Sequence, residues 1–395
     1  MERSFCLLAL LAAIWACSIA PTSPSAEPTV PAVPTALGGR AIVIEGSFEC
    51  GAASLPWARG VDPAQFNERG AVSFAGPEAE EQIFVSPTFD VGAFDECLVS
   101  WNARHSPSTG FGVEISVSRS SQGDFSPWMW IGEWNVHERP ALLVSNFDDA
   151  RIDVDTLVAR TAWRAIRLRV RVRSSDPQRL RFSLDQLAIV PSLRAVAIKS
   201  EPTLRSTPGA TPRLPVPFRS QRAEEARLAP RICSPTSLAM VLAYRGVDVP
   251  TSEVARRAYD PFHDIYGNWN RAIQAAYSLG VPGRLERIVD WTRAGEFLVQ
   301  GQPLILSIAA KPGQLRGAPY ASTAGHLLVL CGFDGAELAL VNDPAASSAA
   351  EGRLAYALRD LETVWMARGG TAYVLGPRSD PSPGDTDRRV GTGSH

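Results

Sequence analysis

Prolines interrupt this chain in two places and so limit what can fold as one piece. Pro202, Pro208, Pro212 and Pro215 are interleaved with Thr, Ser and Gly. Proline supplies no backbone donor and stops helices and inner strands, so 199–214 reads as a linker. A second run, Pro21 to Pro34, is mostly Pro, Ala, Thr, Ser and Val, and 21–39 reads as an extended tether. The last stretch, 378–395, has the composition of a disordered tail. Between these breaks lie 40–198 and 215–377, each of ordinary domain size within the 395 residues. No internal repeat is evident.

The first residues read as an export signal over 1–20. Arg3 precedes an apolar run from Phe5 to Ala16, long enough for a signal peptide and too short for a membrane span. No later segment is apolar for long enough to cross a bilayer, so no span is expected after signal removal. The mature protein is expected to be secreted or associated with the cell envelope. Two processing routes are open. Ile14-Trp15-Ala16-Cys17 is similar to a lipoprotein signal with Cys17 as the lipidated residue; the other route is ordinary cleavage nearby, with Pro21 opposing cleavage directly after Ala20.

Lys and Arg number 39 against 41 Asp and Glu, a balance that gives no reason to expect a nucleic-acid partner. Arg167, Arg169, Arg171 and Arg173 recur with a period of two, which suggests one solvated strand face rather than an anion site. Cys50 and Cys97 fall in one domain, and an oxidising compartment would permit a disulfide between them.

The segment 40–198 reads as an all-β sandwich. Strands are expected at 82–89, 97–103, 111–118, 129–134, 162–172 and 180–189, separated by turn residues such as Gly110, Gly123 and Pro127. Trp101, Trp128, Trp130, Trp134 and Trp163 allow two readings: a platform for a carbohydrate or cell-wall contact, or core filling, the commoner fate of tryptophan in a strand. The segment 215–377 begins with helical patterns at 235–244, 251–259, 268–279 and 292–300. Strands at 303–309, 327–333, 336–342 and 372–375 follow, with a late helix at 358–366. Helices first and an antiparallel sheet afterwards make an α+β domain.

Cys233 precedes Ser234-Pro235 and then the apolar run Leu238 to Ala243. Proline favours the first turn of a helix, so Cys233 is expected at a helix N-terminus, where free N–H groups and the macrodipole favour a thiolate. Two apolar strands flank Asp334-Gly335, a two-residue turn signal. With that turn, His326 faces Asp343 directly across the hairpin, as a base and its orienting carboxylate require. Leu328 and Val341 would be the next pair on that face. Cys331 lies an odd number of positions from His326, on the opposite face, and reads as a core residue. Gln221, upstream of Cys233, has a side-chain N–H suited to an oxyanion, together with the Cys233 backbone N–H. Neither the remaining histidines nor any cysteine pair has metal-ligand spacing, so no metal and no cofactor are expected.

The order Cys, His, Asp and the local sequences resemble the papain-like superfamily, and within it the bacteriocin-processing, double-glycine leader peptidases of the C39-like kind. The matching stretches are Val216-Pro217-Phe218-Arg219-Ser220-Gln221, Cys233-Ser234-Pro235-Thr236-Ser237-Leu238, Gly325-His326-Leu327-Leu328-Val329 and Val341-Asn342-Asp343-Pro344-Ala345. They cover essentially 215–377. The resemblance implies a papain-like cysteine peptidase domain with Cys233 as nucleophile, His326 as base, Asp343 as its orienter and Gln221 at the oxyanion. Ile232 stands where the family often has an aromatic residue, and Ser234 where it commonly has glycine. Neither a membrane domain nor a phosphate-binding loop accompanies the domain, so leader cleavage by a transporter is not carried over.

Three functions follow as expectations. The first is an exported cysteine peptidase acting on a peptide or protein through an acyl-enzyme. The second is a cell-wall peptide amidase or acyltransferase with the same triad. The third is a non-catalytic binding module.

Overall fold

The computed structural model describes residues 42–48, 58–59, 81–136, 143–176, 182–193 and 208–378. The expected signal segment and tether, the C-terminal tail beyond Arg378, and Cys17 and Cys50 lie outside them.

The N-terminal part is all β. Its strands are β1 (Ile42–Phe48), β2 (Ala58–Arg59), β3 (Glu81–Val85), β4 (Phe89–His105), β5 (Thr109–Ser118), β6 (Met129–Trp134), β7 (Asn146–Phe147), β8 (Ala150–Asp153), β9 (Thr156–Ser174) and β10 (Phe182–Ser192). One continuous hydrogen-bonded sheet folds over itself to make two layers. β4 begins beside β9, and beyond Leu98 it continues with β10 alone. Aromatic contacts join the layers: Trp101 meets Phe111 edge-on at 6.0 Å, and Phe84 stacks on Phe182 at 6.4 Å. β9 shows the alternation that builds this core. Ile166, Leu168, Val170 and Val172 are buried, while the intervening arginines face outward. That outer face is a ladder of ion pairs more than a solvated surface. Arg169 grips Glu114 on the facing position of β5 at 2.5 Å, and Arg171 grips Glu81 at 2.6 Å. Arg167 lies over the Phe125 ring instead, at 3.7 Å. Trp101, Trp130, Trp134 and Trp163 are buried and Trp128 is half-buried, so core filling accounts for four of the five.

Cys97 is a free thiol buried in this core; Cys50, with which the sequence would permit a disulfide, lies outside the described residues. The place of Cys97 between β9 and β10 packs it against apolar neighbours. Burial alone pushes such a thiol up, and Cys97 stays protonated.

The C-terminal part is α+β. Helices α1 (Cys233–Tyr244), α2 (Thr251–Ala258), α3 (Trp269–Ser278) and α4 (Trp291–Val299) come early, with α5 (Ala349–Gly352) and α6 (Leu358–Met366) late. Strands β11 (Gly283–Arg287), β12 (Leu304–Ala310), β13 (Thr323–Asp334), β14 (Leu338–Asn342), β15 (Arg353–Ala357) and β16 (Thr371–Leu375) form an antiparallel sheet in the order β11-β16-β12-β13-β14-β15. β13 is central and apolar on both faces, as its continuous run requires. Leu327, Val329 and Cys331 pack with α1, whereas Leu328 and Leu330 pack with α4 and α6.

The two parts share an extensive interface. β11 is an edge strand, and β4 runs antiparallel beside it. The Asn102 amide accepts from Gly283 N at 3.0 Å and donates to Gly283 O at 2.9 Å, while Ser100 Oγ accepts from Leu285 N at 3.0 Å. Side chains of β4 thus substitute for a neighbouring strand and close an otherwise open edge. Gln274 of α3 does the converse, bonding both backbone groups of Ala103 at 2.9 and 2.7 Å. Asp155 Oδ2 accepts from Trp269 N at 2.5 Å, placing a carboxylate at the start of α3. Residues 208–214, inside the stretch expected as linker, lie along β13: Leu214 N donates to Cys331 O at 2.8 Å and Phe333 N to Thr211 Oγ1 at 2.9 Å.

Candidate active site

Cys233 is the first residue of α1. The preceding Ile232 offers no side-chain cap to the free N–H groups of the first turn. Thr236 fixes the turn by donating its hydroxyl back to Ile232 O at 2.7 Å. Ser237 anchors α1 to β13, donating to Leu327 O at 2.9 Å. Cys233 is half-buried there. Burial opposes its thiolate, but the hydrogen bond and positive charge of His326 outweigh this, helped by the backbone N–H groups of Leu327 and Ser234. The net effect holds the thiol below the usual cysteine range.

His326 is near the start of β13, buried, and opposite Ile308 of β12. Its Nε2 lies 2.8 Å from Asp343 Oδ1. That contact leaves Nδ1 for the hydrogen bond with Cys233. Burial disfavours the charged imidazolium, yet the Asp343 charge and hydrogen bond, with the Cys233 thiolate, raise its pKa to about 10. Asp343 is fully buried just beyond β14. Burial acts to raise its pKa; the His326 charge and a set of donors overcome that and hold it ionised below the usual carboxylate range.

The hairpin that brings His326 and Asp343 together is not the one expected. Gly335, at φ +65°, begins a three-residue turn of Gly335, Ala336 and Glu337, with Asp334 paired to Leu338. An irregularity between Leu330 and Gly332 shifts the pairing again, so Val341 faces Leu330 and Asn342 faces Val329. His326 and Asp343 are therefore not cross-strand partners. They meet diagonally, because Asp343 has left the ladder and folded back with its own backbone: Asp343 N bonds Gly352 O at 2.8 Å, and its Oδ1 accepts from Ala345 N at 3.0 Å. Asn342 is turned to other partners, donating to Val216 O at 3.0 Å and accepting from Arg213 at 3.0 Å. Cys331 is fully buried on the α1 face of the sheet, and burial pushes its thiol to about 12.

Gln221 opens a single 3-10 turn, and its backbone N–H bonds Pro344 O at 2.9 Å, which ties this strap to the Asp343 loop. Ser220 adds a second tie by donating to Ala346 O at 2.5 Å. The Gln221 Nε2 donates one hydrogen to Ala229 O at 2.7 Å, so only its second N–H is left for a ligand, and its Oε1 has no partner among the described residues. Ser234 is fully buried with its hydroxyl 3.1 Å from the Tyr373 hydroxyl of β16, and Ile232 is buried.

Two tyrosines absent from the sequence-based reading complete the site. Tyr320 and Tyr356 donate to Asp343 Oδ2 at 3.0 and 2.9 Å. Tyr356 belongs to β15, whose alternation of Leu354 and Tyr356 was a readable strand signal. Tyr320 sits in the loop between β12 and β13, where no periodicity marks it.

Residues 213–373 match the family described as Peptidase C39 like, and residues 73–192 match the Peptidase C39 N-terminal domain. No curated protein matches the chain. Among solved structures, a double glycine motif protease from an AMS/PCAT transporter, in complex with the leader peptide, is 22% identical. It covers 44% of this chain and 99% of its own, with a TM-score of 0.29. A Bacillus anthracis protein described as a C39-like peptidase is 20% identical over 44% of this chain and 100% of its own, with a TM-score of 0.32. The two family matches make the C-terminal part of this chain a C39-like peptidase domain, of the cysteine peptidases, preceded by a C39 N-terminal domain.

Proposed function

We propose that the protein is an exported cysteine peptidase that cleaves peptide bonds through Cys233, His326 and Asp343. The observation that carries this is the imidazole of His326 held between two groups: Asp343 on Nε2 at 2.8 Å and Cys233 on the other ring nitrogen. A thiolate–imidazolium pair at a helix N-terminus is a nucleophile and an acid ready together. Cys233 Sγ attacks the carbonyl carbon. The backbone N–H of Cys233 and the second N–H of Gln221 take the developing oxyanion. His326 Nδ1 gives its proton to the leaving amine, and a thioester remains on Cys233. His326 then draws a proton from water, whose oxygen attacks the thioester and releases the acid and the thiolate. Asp343 stabilises the imidazolium throughout without taking its proton.

Export rests on the Phe5–Ala16 run, and envelope attachment would follow from lipidation at Cys17. The burial of Trp101, Trp130, Trp134 and Trp163 gives the carbohydrate contact no support from those residues. The peptidase reading is tested with an activity-based thiol probe and a peptide library on the full chain. Probe labelling at Cys233 with peptide cleavage that Cys233→Ala abolishes is expected. Labelling without cleavage of any peptide would sink the peptidase assignment, and release of cell-wall amides alone would move it to the amidase class.

A further inference from the structure

The Asp343 carboxylate carries more donors than a histidine partner requires, and they arrive from separate elements. Oδ1 accepts from His326 Nε2 at 2.8 Å and from Ala345 N at 3.0 Å. Oδ2 accepts from Tyr320 OH at 3.0 Å and Tyr356 OH at 2.9 Å. Four donors fill the oxygens of a carboxylate that is 0% exposed. Tyr320 lies in the loop between β12 and β13, and its ring also stands edge-on to the His326 ring at 4.9 Å. Tyr356, on edge strand β15, is 1% exposed. The two hydroxyls converge on the one oxygen that His326 does not use.

We propose that Tyr320 and Tyr356 are positioning residues that keep Asp343 ionised and turned toward His326, so that the imidazolium persists beside Cys233 at mildly acidic pH. The inference rests on the catalytic reading of Cys233, His326 and Asp343. A buried carboxylate deprived of hydrogen bonds takes up a proton more easily. Protonated Asp343 would no longer stabilise the imidazolium, and the thiolate would lose its partner. The titratable groups facing Asp343 are His326 from β13, Tyr320 from the preceding loop and Tyr356 from β15, with Cys233 beyond the imidazole. Burial, then the Asp343 charge, pushes both tyrosine hydroxyls up, so they remain donors across the working range.

The test is the pH profile of iodoacetamide alkylation at Cys233 in the full chain, read by peptide mass spectrometry. Wild type is compared with Tyr320→Phe, Tyr356→Phe and the double variant, which keep the rings and remove the hydroxyls. The acid limb of the double variant should move up by about one pH unit, with a rate loss of about tenfold on that limb and a smaller loss near neutrality. A merely structural role would lower the folded fraction without moving the limb. An unmoved limb in the folded double variant overturns the proposal. Should the double variant not fold, an upward shift in either single variant supports it and unmoved limbs in both overturn it. Alkylation needs no peptide, so a wild type that shows the acid limb but cleaves nothing fails the peptidase reading and leaves this inference standing.

Discussion

Among the described residues, two histidine–aspartate pairs are hydrogen-bonded, and they lie on opposite sides of the question of what makes such a pair reactive. His326 and Asp343 are 2.8 Å apart; His263 Nδ1 and Asp260 Oδ2 are 2.7 Å apart. Both carboxylates are fully buried. The distances are nearly equal, so distance does not separate them. Asp260 also accepts from Phe262 N at 2.9 Å, His263 N at 3.2 Å and Asn268 Nδ2 at 2.8 Å, all within one short loop between α2 and α3. It is a turn-forming carboxylate with a histidine among its donors. His326 instead joins three distant elements, with a thiol on its second nitrogen and 6% side-chain exposure against 32% for His263. On the catalytic reading proposed above, what sets His326 apart is the third group and the exclusion of water, not the pair itself.

The comparison breaks if both histidines matter equally to Cys233. His326→Ala should slow iodoacetamide alkylation of Cys233 about a hundredfold or more near neutral pH, and abolish peptide turnover, because the thiolate loses its cationic partner. His263→Ala should leave both within a few-fold. Cys331 and Cys97, whose thiols burial pushes up, should label far behind Cys233 in wild type. Preferential labelling of Cys331 would contradict the assignment of the nucleophile. The carboxylates come next in size. Asp343→Asn should cut kcat about a hundredfold or more while the fold survives. Asp260→Asn should cost stability, about 1–3 kcal/mol from lost charge-assisted bonds, and leave kcat nearly intact.

A pH experiment sharpens the contrast. The folded His326 pKa, about 10, lies above its ordinary 6.5. Its contribution to stability is therefore fully present below 6.5 and lost as pH rises through about 10. Asp343 has the opposite sign: held below 3.8, it contributes above that value and loses its contribution as pH falls toward its folded pKa. Denaturant midpoints of wild type and His326→Gln should converge between pH 6.5 and 10. A constant gap across that window would show that the raised imidazole is not coupled to folding.

How much of this could be read from the chain follows the same division. Elements set by local periodicity were legible: α1 with Cys233 at its start, β13 as a continuous apolar run, and the alternation of β9. Cys331 reads correctly as a core residue because face alternation is a local property of the strand. The hairpin register was not legible. Asp334-Gly335 carries the signal for a two-residue turn, yet Gly335 begins a three-residue one, and an irregularity beyond Leu330 moves the frame again. The His326–Asp343 contact exists by a different route, since Asp343 is held by Gly352, Ala345 and two tyrosines rather than by its place in the ladder. Those partners lie in β15, in its approach, or in a loop, where selection acts on one contact and leaves no period to read. The interface with the β-rich part was equally hidden, because Asn102 and Gln274 bond backbone groups, which any sequence supplies.

The smallest expected effect belongs to His263 itself, and it tests the comparison from the weaker side. Its ring contributes one of four donors to Asp260, and Asn268 and two backbone N–H groups supply the rest. Asn268 caps α3 through Arg271 N at 3.2 Å, so the carboxylate orders the loop that leads into that helix. Removing one donor from a partly exposed ring costs about 1 kcal/mol, or roughly 2–4 °C in Tm for a chain of this size. His263→Ala should show a loss of that order in a thermal melt, with an unchanged acid limb for Cys233 alkylation. His263→Asn, which retains a donor near the position of Nδ1, should recover part of it. A shifted acid limb in His263→Ala would mean that the loop's pair reaches the thiolate after all, and the two pairs would then form one coupled system.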